Sequence, residues 1–364
     1  MGSFAFRLFC RLSTFFWSAV TLAGLGWRWL WTGGRLSRKQ PHSPLPSEIY
    51  DEFEHGFISL PSGVRLHFAA KGAKHAPLML LVHGFPEFWY SWRFQLRHFS
   101  DSHRVVALDL RGYGESDKPE SVDDYHIDIL AADIRDMILA LGSSSAVLAA
   151  HDWGGIISWR VAMLFPEVIS RLIILNCPHP TAYRKLLRVD RSQILRSWYI
   201  FMFQTPWLPE FSVASEDFKM LDEMFRGKKA GIRSIENFTD VDLDAWKYTF
   251  SLPGLICALT PPINFYRAMM YQKYPPVKAD PRIKVPTLVV WGEDDAFLVP
   301  KLGQMSAEEC LDGRCCYVEK ASHWVQQDKP EKVNELIRRF LSDKRGEVDA
   351  GQGDFVRDPE KAHL

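Results

Sequence analysis

A run of small and β-forming residues, Ala146-Val147-Leu148-Ala149-Ala150-His151, ends on the carboxylate of Asp152 and restarts at once as Trp153-Gly154-Gly155 and an apolar helical stretch. Few local patterns constrain a fold so tightly. A sharp strand-to-helix turn tolerates only small side chains two positions either side of its central residue, and those positions are Ala150 and Gly154. The pattern is that of a nucleophile elbow in which aspartate stands where serine is usual. A carboxylate is ionised near neutral pH, so it attacks an electrophilic carbon without help from a base, and the resulting ester then needs a separate hydrolysis. Taken alone, an aspartate after a strand reads equally well as a helix N-cap. The rest of the chain decides between the two.

Residues 78–82, Leu-Met-Leu-Leu-Val, have no polar face, as expected of a strand buried on both sides in a mostly parallel sheet. They run into His83-Gly84-Phe85-Pro86, where glycine lets the backbone bend so that an N–H faces the end of the sheet. Phe85 and Trp153 are thereby the candidate donors of an oxyanion hole. Upstream, 57–60 and 65–69 alternate around Pro61-Ser62-Gly63 as a first hairpin. Downstream, the β-run 104–109 ends in a glycine-rich turn, 110–116, whose spacing is not that of a phosphate loop. Ile127, Leu130, Ala131, Ile134, Met137, Ile138 and Leu141 fall on one helical face. An elbow helix over 156–165 and a buried strand over 169–175 follow, and such alternation implies right-handed parallel crossovers.

From 178 to about 280 the rhythm breaks. No buried strand is predicted, aromatic residues crowd in, and Pro206, Pro209, Pro253, Pro261 and Pro262 are expected to cut the stretch into short helices forming an inserted lid. The sheet resumes at 287–291, followed by Gly292-Glu293-Asp294-Asp295, a strand at 315–319, the loop Ala321-Ser322-His323-Trp324, and a closing helix over 330–341. Three post-strand positions therefore follow the order nucleophile, acid, histidine: Asp152, then Asp294 or Asp295, then His323. That order belongs to the α/β-hydrolase fold, a mostly parallel sheet with flanking helices. An aspartate nucleophile excludes an ordinary serine esterase.

The 44 basic and 44 acidic residues balance, so the chain has no electrostatic footprint for nucleic acid. Six cysteines show no metal-binding spacing, and neither metal nor organic cofactor is expected. Residues 12–27 carry no charge, and beyond Arg28 come Trp29-Leu30-Trp31. With that arginine snorkelling, the stretch reaches the roughly 20 residues that span a bilayer, so a membrane anchor helix contacting lipid over about 12–31 is expected. A signal peptide cleaved near Thr21-Leu22-Ala23 is the rival reading. The expected organisation is an anchor and linker over 1–48, the linker itself running over 33–48, a hydrolase domain over 49–342, and a disordered tail over 343–364. Arg7, Arg11 and the terminal amine precede the apolar stretch, and Arg28, Arg35, Arg38 and Lys39 follow it, four cations against three. The excess places the catalytic domain in the cytosol, which also suits unpatterned cysteines and an unmodified Asn237-Phe238-Thr239 acceptor.

The segments His83-Gly84-Phe85-Pro86-Glu87, Asp109-Leu110-Arg111-Gly112-Tyr113-Gly114, His151-Asp152-Trp153-Gly154-Gly155, Gly292-Glu293-Asp294-Asp295 and Ser322-His323-Trp324 resemble those of α/β-hydrolase-fold epoxide hydrolases. With the anchor, the chain is most similar to the membrane-anchored vertebrate type 3 and type 4 branch. The resemblance implies Asp295 as the acid. It further implies two lid tyrosines, Tyr199 ahead of Phe203-Gln204-Thr205-Pro206 and Tyr266 within Asn264-Phe265-Tyr266-Arg267. Their implied role is to meet the epoxide oxygen while Asp152 opens the ring, and a diol then leaves after hydrolysis by water that His323 activates. A lipophilic epoxide, of fatty-acid type, and an endoplasmic-reticulum location are likewise implied. Two alternatives stand beside this reading. A haloalkane or haloacid dehalogenase uses the same Asp–acid–His set with halide donors in place of the tyrosines, and a membrane-tethered interaction module would carry the fold without turnover.

Overall fold

A computed structural model of the chain describes residues 4–33, 41–252, 255–271 and 282–343. The tail beyond 343, Pro253, the side chain of Cys257, and Arg35, Arg38 and Lys39 of the charge count lie outside the described residues. The centre is an eight-stranded sheet. Its strands are β1 (Glu54–Ser59), β2 (Arg65–Lys71), β3 (Leu78–Val82), β4 (Arg104–Leu108), β5 (Ala146–His151), β6 (Ile169–Leu175), β7 (Thr287–Gly292) and β8 (Gly313–Val318). They lie in the order β1-β2-β4-β3-β5-β6-β7-β8. The β1–β2 hairpin is antiparallel, β2 joins β4 antiparallel, and every later pairing is parallel. Strands β3, β4, β5 and β7 are buried along their whole length, which is why their sequences lack a polar alternation.

The helix Ile127–Ala140 packs on the elbow helix, and Arg93–Phe99 packs on the closing helix Pro330–Ser342. The elbow helix begins at Trp153, three residues before the start that the periodicity suggests, and ends at Leu164, one residue early. Glycine disfavours helix intrinsically, but close packing overrides it here: a Cβ on Gly155 would fall 2.5 Å from Cys177 Cβ, and one on Gly154 2.3 Å from the Val82 carbonyl oxygen.

Between β6 and β7 the lid contains helices Pro180–Val189, Ser192–Arg196, Trp198–Met202, Asp240–Ser251 and Leu255–Tyr271, and the segment Leu208–Arg226, whose helix is broken by non-helical backbone at Ser215, Glu216, Asp217 and Phe218. Pro206 and Pro209 flank or open a helix as expected, whereas Pro261 and Pro262 lie inside Leu255–Tyr271. The burial of Leu259, Ile263 and Phe265 holds the backbone helical across two residues that lack an N–H.

The N-terminal helix α1 (Phe4–Trp31) is long and apolar enough to cross a membrane, with a mean hydropathy of 1.4 over its most apolar part. It also lies on the lid. Phe9 meets Phe201, Trp17 meets Trp198, Ser18 bonds Thr205, Leu25 is buried, and Arg28 pairs with Glu216. The expected linker is likewise no free tether from residue 41 onward. His42 is held at 2.8 Å by both Asp217 and Asp244, the Ser43 N–H donates to Asp244, and Leu45 is buried.

Candidate active site

At the end of β5, Asp152 takes φ 47° and ψ −118°, a left-handed conformation that L-residues adopt at a cost of a few kcal/mol at most. The turn aims its carboxylate out of the sheet towards the lid. Close approach forbids side chains nearby, since a Cβ on Gly84 would sit 2.4 Å from Asp152 Cβ. Ala150, buried completely, shows that a methyl group still fits on the strand side of the elbow.

The two carboxylate oxygens face different partners. The Phe85 N–H donates to Oδ1 at 2.9 Å, while His323 Nε2 stands 3.6 Å from Oδ2, an ionic contact longer than a hydrogen bond. Trp153, next in sequence to Asp152, opens the elbow helix. On its other side the His323 ring meets Asp295, with Nδ1 to Oδ2 at 2.8 Å. Asp295 is buried and accepts further bonds from the Phe297 and Leu298 N–H groups at 2.8 and 2.9 Å and from Asn176 Nδ2 at 2.7 Å. Asp294 points elsewhere, exposed and 3.5 Å from Arg233, so the spacing ambiguity between the two acids resolves in space to Asp295.

These contacts set protonation. Burial disfavours charge on His323, but Asp295 and Asp152 on either side override it and push its pKa up to about 10. Burial would raise the Asp152 pKa, yet His323 and the Phe85 N–H hold it below the ordinary carboxylate range. Tyr199 and Tyr266 stand opposite on the lid with ring centroids 6.0 Å apart. Burial, with Asp152 nearby, raises both phenols well above the ordinary tyrosine value, so they remain O–H donors at any physiological pH.

Asp152, Tyr199 and Tyr266 line two cavities that meet at the carboxylate. The larger, about 690 Å³, is walled by Trp198, Phe203, Met220, Met224, Phe297 and Trp324. The smaller, about 420 Å³, runs past Ile127, Trp153, Ile156, Met163 and Met269. Both are of ligand-binding size and mostly apolar. Among the described residues no group of His, Cys, Asp and Glu is arranged to hold a metal ion.

Several residues support the site in ways that the motifs do not indicate. Asn176 takes φ 41° at the end of β6, and its side chain bridges Asp295 and the Gly292 N–H. Asparagine tolerates that backbone region better than most residues, and its place directly after a buried strand is the only sequence signal. Glu87 is fully buried. It accepts from the Gly84 N–H at 2.8 Å, His151 Nδ1 at 2.7 Å, Gln326 Nε2 at 2.9 Å and Gln327 Nε2 at 3.1 Å, and His151 Nε2 reaches the His323 carbonyl at 2.9 Å. One carboxylate thus ties the Phe85 turn, the elbow strand and the histidine loop together.

Burial would raise the Glu87 pKa, but His151 and the Gly84 N–H lower it. Its stabilisation is therefore present above the ordinary glutamate range and lost as pH falls through the depressed folded value. Glu87→Ala should cost about 3 kcal/mol or more, because it leaves four buried donors without their acceptor at about 1–3 kcal/mol each. Urea unfolding at neutral pH measures it; a change below about 1 kcal/mol would mean that the cluster contributes little net stability.

The comparisons with known proteins agree with this geometry. Residues 77–204 match the family model described as the alpha/beta hydrolase fold. The chain is 42% identical over 346 residues to epoxide hydrolase 2 of Caenorhabditis elegans, covering 94% of this chain and 96% of that protein. It is 44% identical to human epoxide hydrolase 4 over 79% of this chain and 78% of that one, and 42% identical to epoxide hydrolase 3 of Xenopus tropicalis over 84% and 82%. A crystal structure of Bacillus megaterium epoxide hydrolase in complex with an inhibitor superposes with a TM-score of 0.69 at 30% identity, covering 79% of this chain and 100% of that one. With an aspartate at the elbow, a histidine between two carboxylates, and relatives of this identity and coverage, the chain belongs to the epoxide hydrolases of the α/β-hydrolase fold.

Proposed function

We propose that the chain converts lipophilic epoxides to vicinal diols through a covalent ester on Asp152. The observation that carries this reading is that an ionised carboxylate and two protonated phenols share one apolar cavity. Asp152 Oδ2 attacks a ring carbon, the C–O bond of the oxirane breaks, and the departing oxygen takes a proton from Tyr199 or Tyr266. Oδ1 becomes the ester carbonyl oxygen, already facing the Phe85 N–H. With Trp153 as second donor, that N–H holds the oxyanion when water attacks the carbonyl carbon.

The same electrostatics time the base. In the free enzyme His323 is an imidazolium between two carboxylates. Ester formation removes the charge on Asp152, leaving Asp295 alone against burial, so the His323 pKa falls. The ring releases its proton to solvent, from which the phenolate left by ring opening is reprotonated, and the neutral imidazole then takes a proton from the attacking water and passes it to the departing diol oxygen.

Two cavities meeting at the nucleophile suit a chain with an epoxide along its length, one arm taking each side. A fatty-acid epoxide fits that description. The apolar α1 is proposed to hold the enzyme at the endoplasmic-reticulum membrane, with the catalytic domain on the cytosolic side. There the thiols of Cys10, Cys177, Cys310 and Cys315, all free, would stay reduced. A helix crossing the bilayer is the reading of the sequence; its packing on the lid favours one lying along the membrane surface.

Tyr199→Phe and Tyr266→Phe test the chemistry. Each removes one donor to the leaving oxygen and should slow alkylation by about 10²–10³-fold, by analogy with loss of an oxyanion-hole donor, while sparing hydrolysis of preformed ester. Rapid-quench alkylation rates decide it. Wild-type rates in both variants would make the tyrosines packing residues and favour carbon–halogen substrates instead.

A further inference from the structure

The docked side of α1 extends from Phe9 to Arg28, about 28 Å at about 1.5 Å per residue. A helix crossing a bilayer unaided would turn this face to lipid tails; here it faces the lid. Its remaining surface keeps Leu12, Phe15, Phe16, Leu22, Leu30 and Trp31 exposed, far more apolar area than a water-facing helix carries. The lid beside it continues the pattern. Trp207 and Phe211 are exposed just past Thr205, and in the lid segment that leads into Trp198–Met202, the helix on which α1 packs, Val189 is 80% and Leu195 68% exposed. The segment holding those two, 180–196, carries Arg184, Lys185, Arg188, Arg191 and Arg196 against Asp190 alone. Lys185 is paired with Glu309, and Arg196 donates to the Asp295 carbonyl. Arg188 and Arg191 are exposed.

Basic residues interleaved with exposed apolar ones describe a surface that seats in an anionic headgroup layer. This surface also borders both arms of the cavity: Leu195 and Arg196 line the larger, Thr181 and Arg184 the smaller. We propose that α1 and the lid segment 180–196 form one face that lies in the plane of an anionic phospholipid bilayer, with the cavity mouths opening into it, so that substrate passes from lipid to Asp152 without crossing water. The proposal builds on the lipophilic-epoxide reading.

The full chain, reconstituted on phosphatidylcholine vesicles with or without phosphatidylserine, tests it. An environment-sensitive fluorescent amino acid placed at Val189 should be quenched by lipids brominated on their acyl chains, more strongly with phosphatidylserine. The same probe at Leu139, exposed near the end of the helix that leads into β5 and so towards the end of the sheet opposite Asp152, should not. An unquenched Val189 probe on vesicle-bound protein overturns the proposal. In parallel, Arg188→Glu with Arg191→Glu should lower turnover of a fatty-acid epoxide held in phosphatidylserine vesicles by about tenfold while leaving a small water-soluble epoxide, styrene oxide, unaffected. Equal rates on the vesicle substrate, or equal losses on both substrates, contradict it. If the unaltered chain opens neither epoxide, the enzymatic reading fails, and the quenching result still decides the membrane face.

Discussion

Asp152→Ala should abolish turnover, lowering kcat by about 10⁴–10⁶-fold by analogy with removal of a nucleophile from other covalent hydrolases. The size follows from the site: neither Asp295, engaged by four donors, nor Glu223, which lines the larger cavity with Asp152, stands at the elbow. A second readout separates loss of chemistry from loss of structure. With the Asp152 charge gone, His323 keeps only one carboxylate neighbour, so its pKa should fall from about 10. An NMR titration of the imidazole follows this directly. Because the folded-state value is raised, the stability contributed by charged His323 is present below the unfolded histidine pKa and lost as pH rises through the folded one. That dependence should weaken in the variant. Turnover within tenfold of wild type would remove Asp152 from the mechanism.

His323→Gln should act on the other half of the reaction. Alkylation needs no base, so the variant should open one equivalent of epoxide at close to the wild-type rate and then stall. Steady-state turnover should fall by on the order of 10²–10⁴-fold, the range for a general base. Intact-protein mass spectrometry should find the substrate mass added to the chain, located on the peptide carrying Asp152. In the wild-type enzyme, ester hydrolysis should rise with pH through the lowered His323 pKa of the ester state, while alkylation stays flat because Asp152 is ionised throughout. A variant that stalls without a burst would show instead that His323 is needed to form the ester.

Much of this architecture is legible in the sequence because it depends on local chemistry. β3 and β5 announce themselves as uninterrupted apolar runs, and the elbow follows from small residues at fixed offsets from Asp152. What escapes is set by contacts distant in sequence. Glu87 follows a recognisable turn, yet its value lies in meeting Gln326 and Gln327, which no spacing rule connects to it. Asp294 and Asp295 are equivalent in sequence and separate only when β7 ends and turns one carboxylate inward to His323 and the other out to Arg233. Pro261 and Pro262 mislead because propensity speaks for the isolated chain, whereas Leu259 and Ile263 are buried against the rest of the lid. The docking of α1 is likewise unreadable beforehand: hydropathy reports that a helix avoids water, not which apolar surface it meets.

Oxygen labelling reaches the covalent ester most directly. In a single turnover in ¹⁸O-water with enzyme in excess, water attacks the ester carbonyl, so solvent oxygen should enter the Asp152 side chain. The first diol should carry only the epoxide oxygen and an unlabelled oxygen from the carboxylate. Peptide mass spectrometry of Asp152 and mass analysis of the diol read the two together. Label in the first-turnover diol with none in Asp152 would mean that water opens the ring itself, and the covalent mechanism would be wrong.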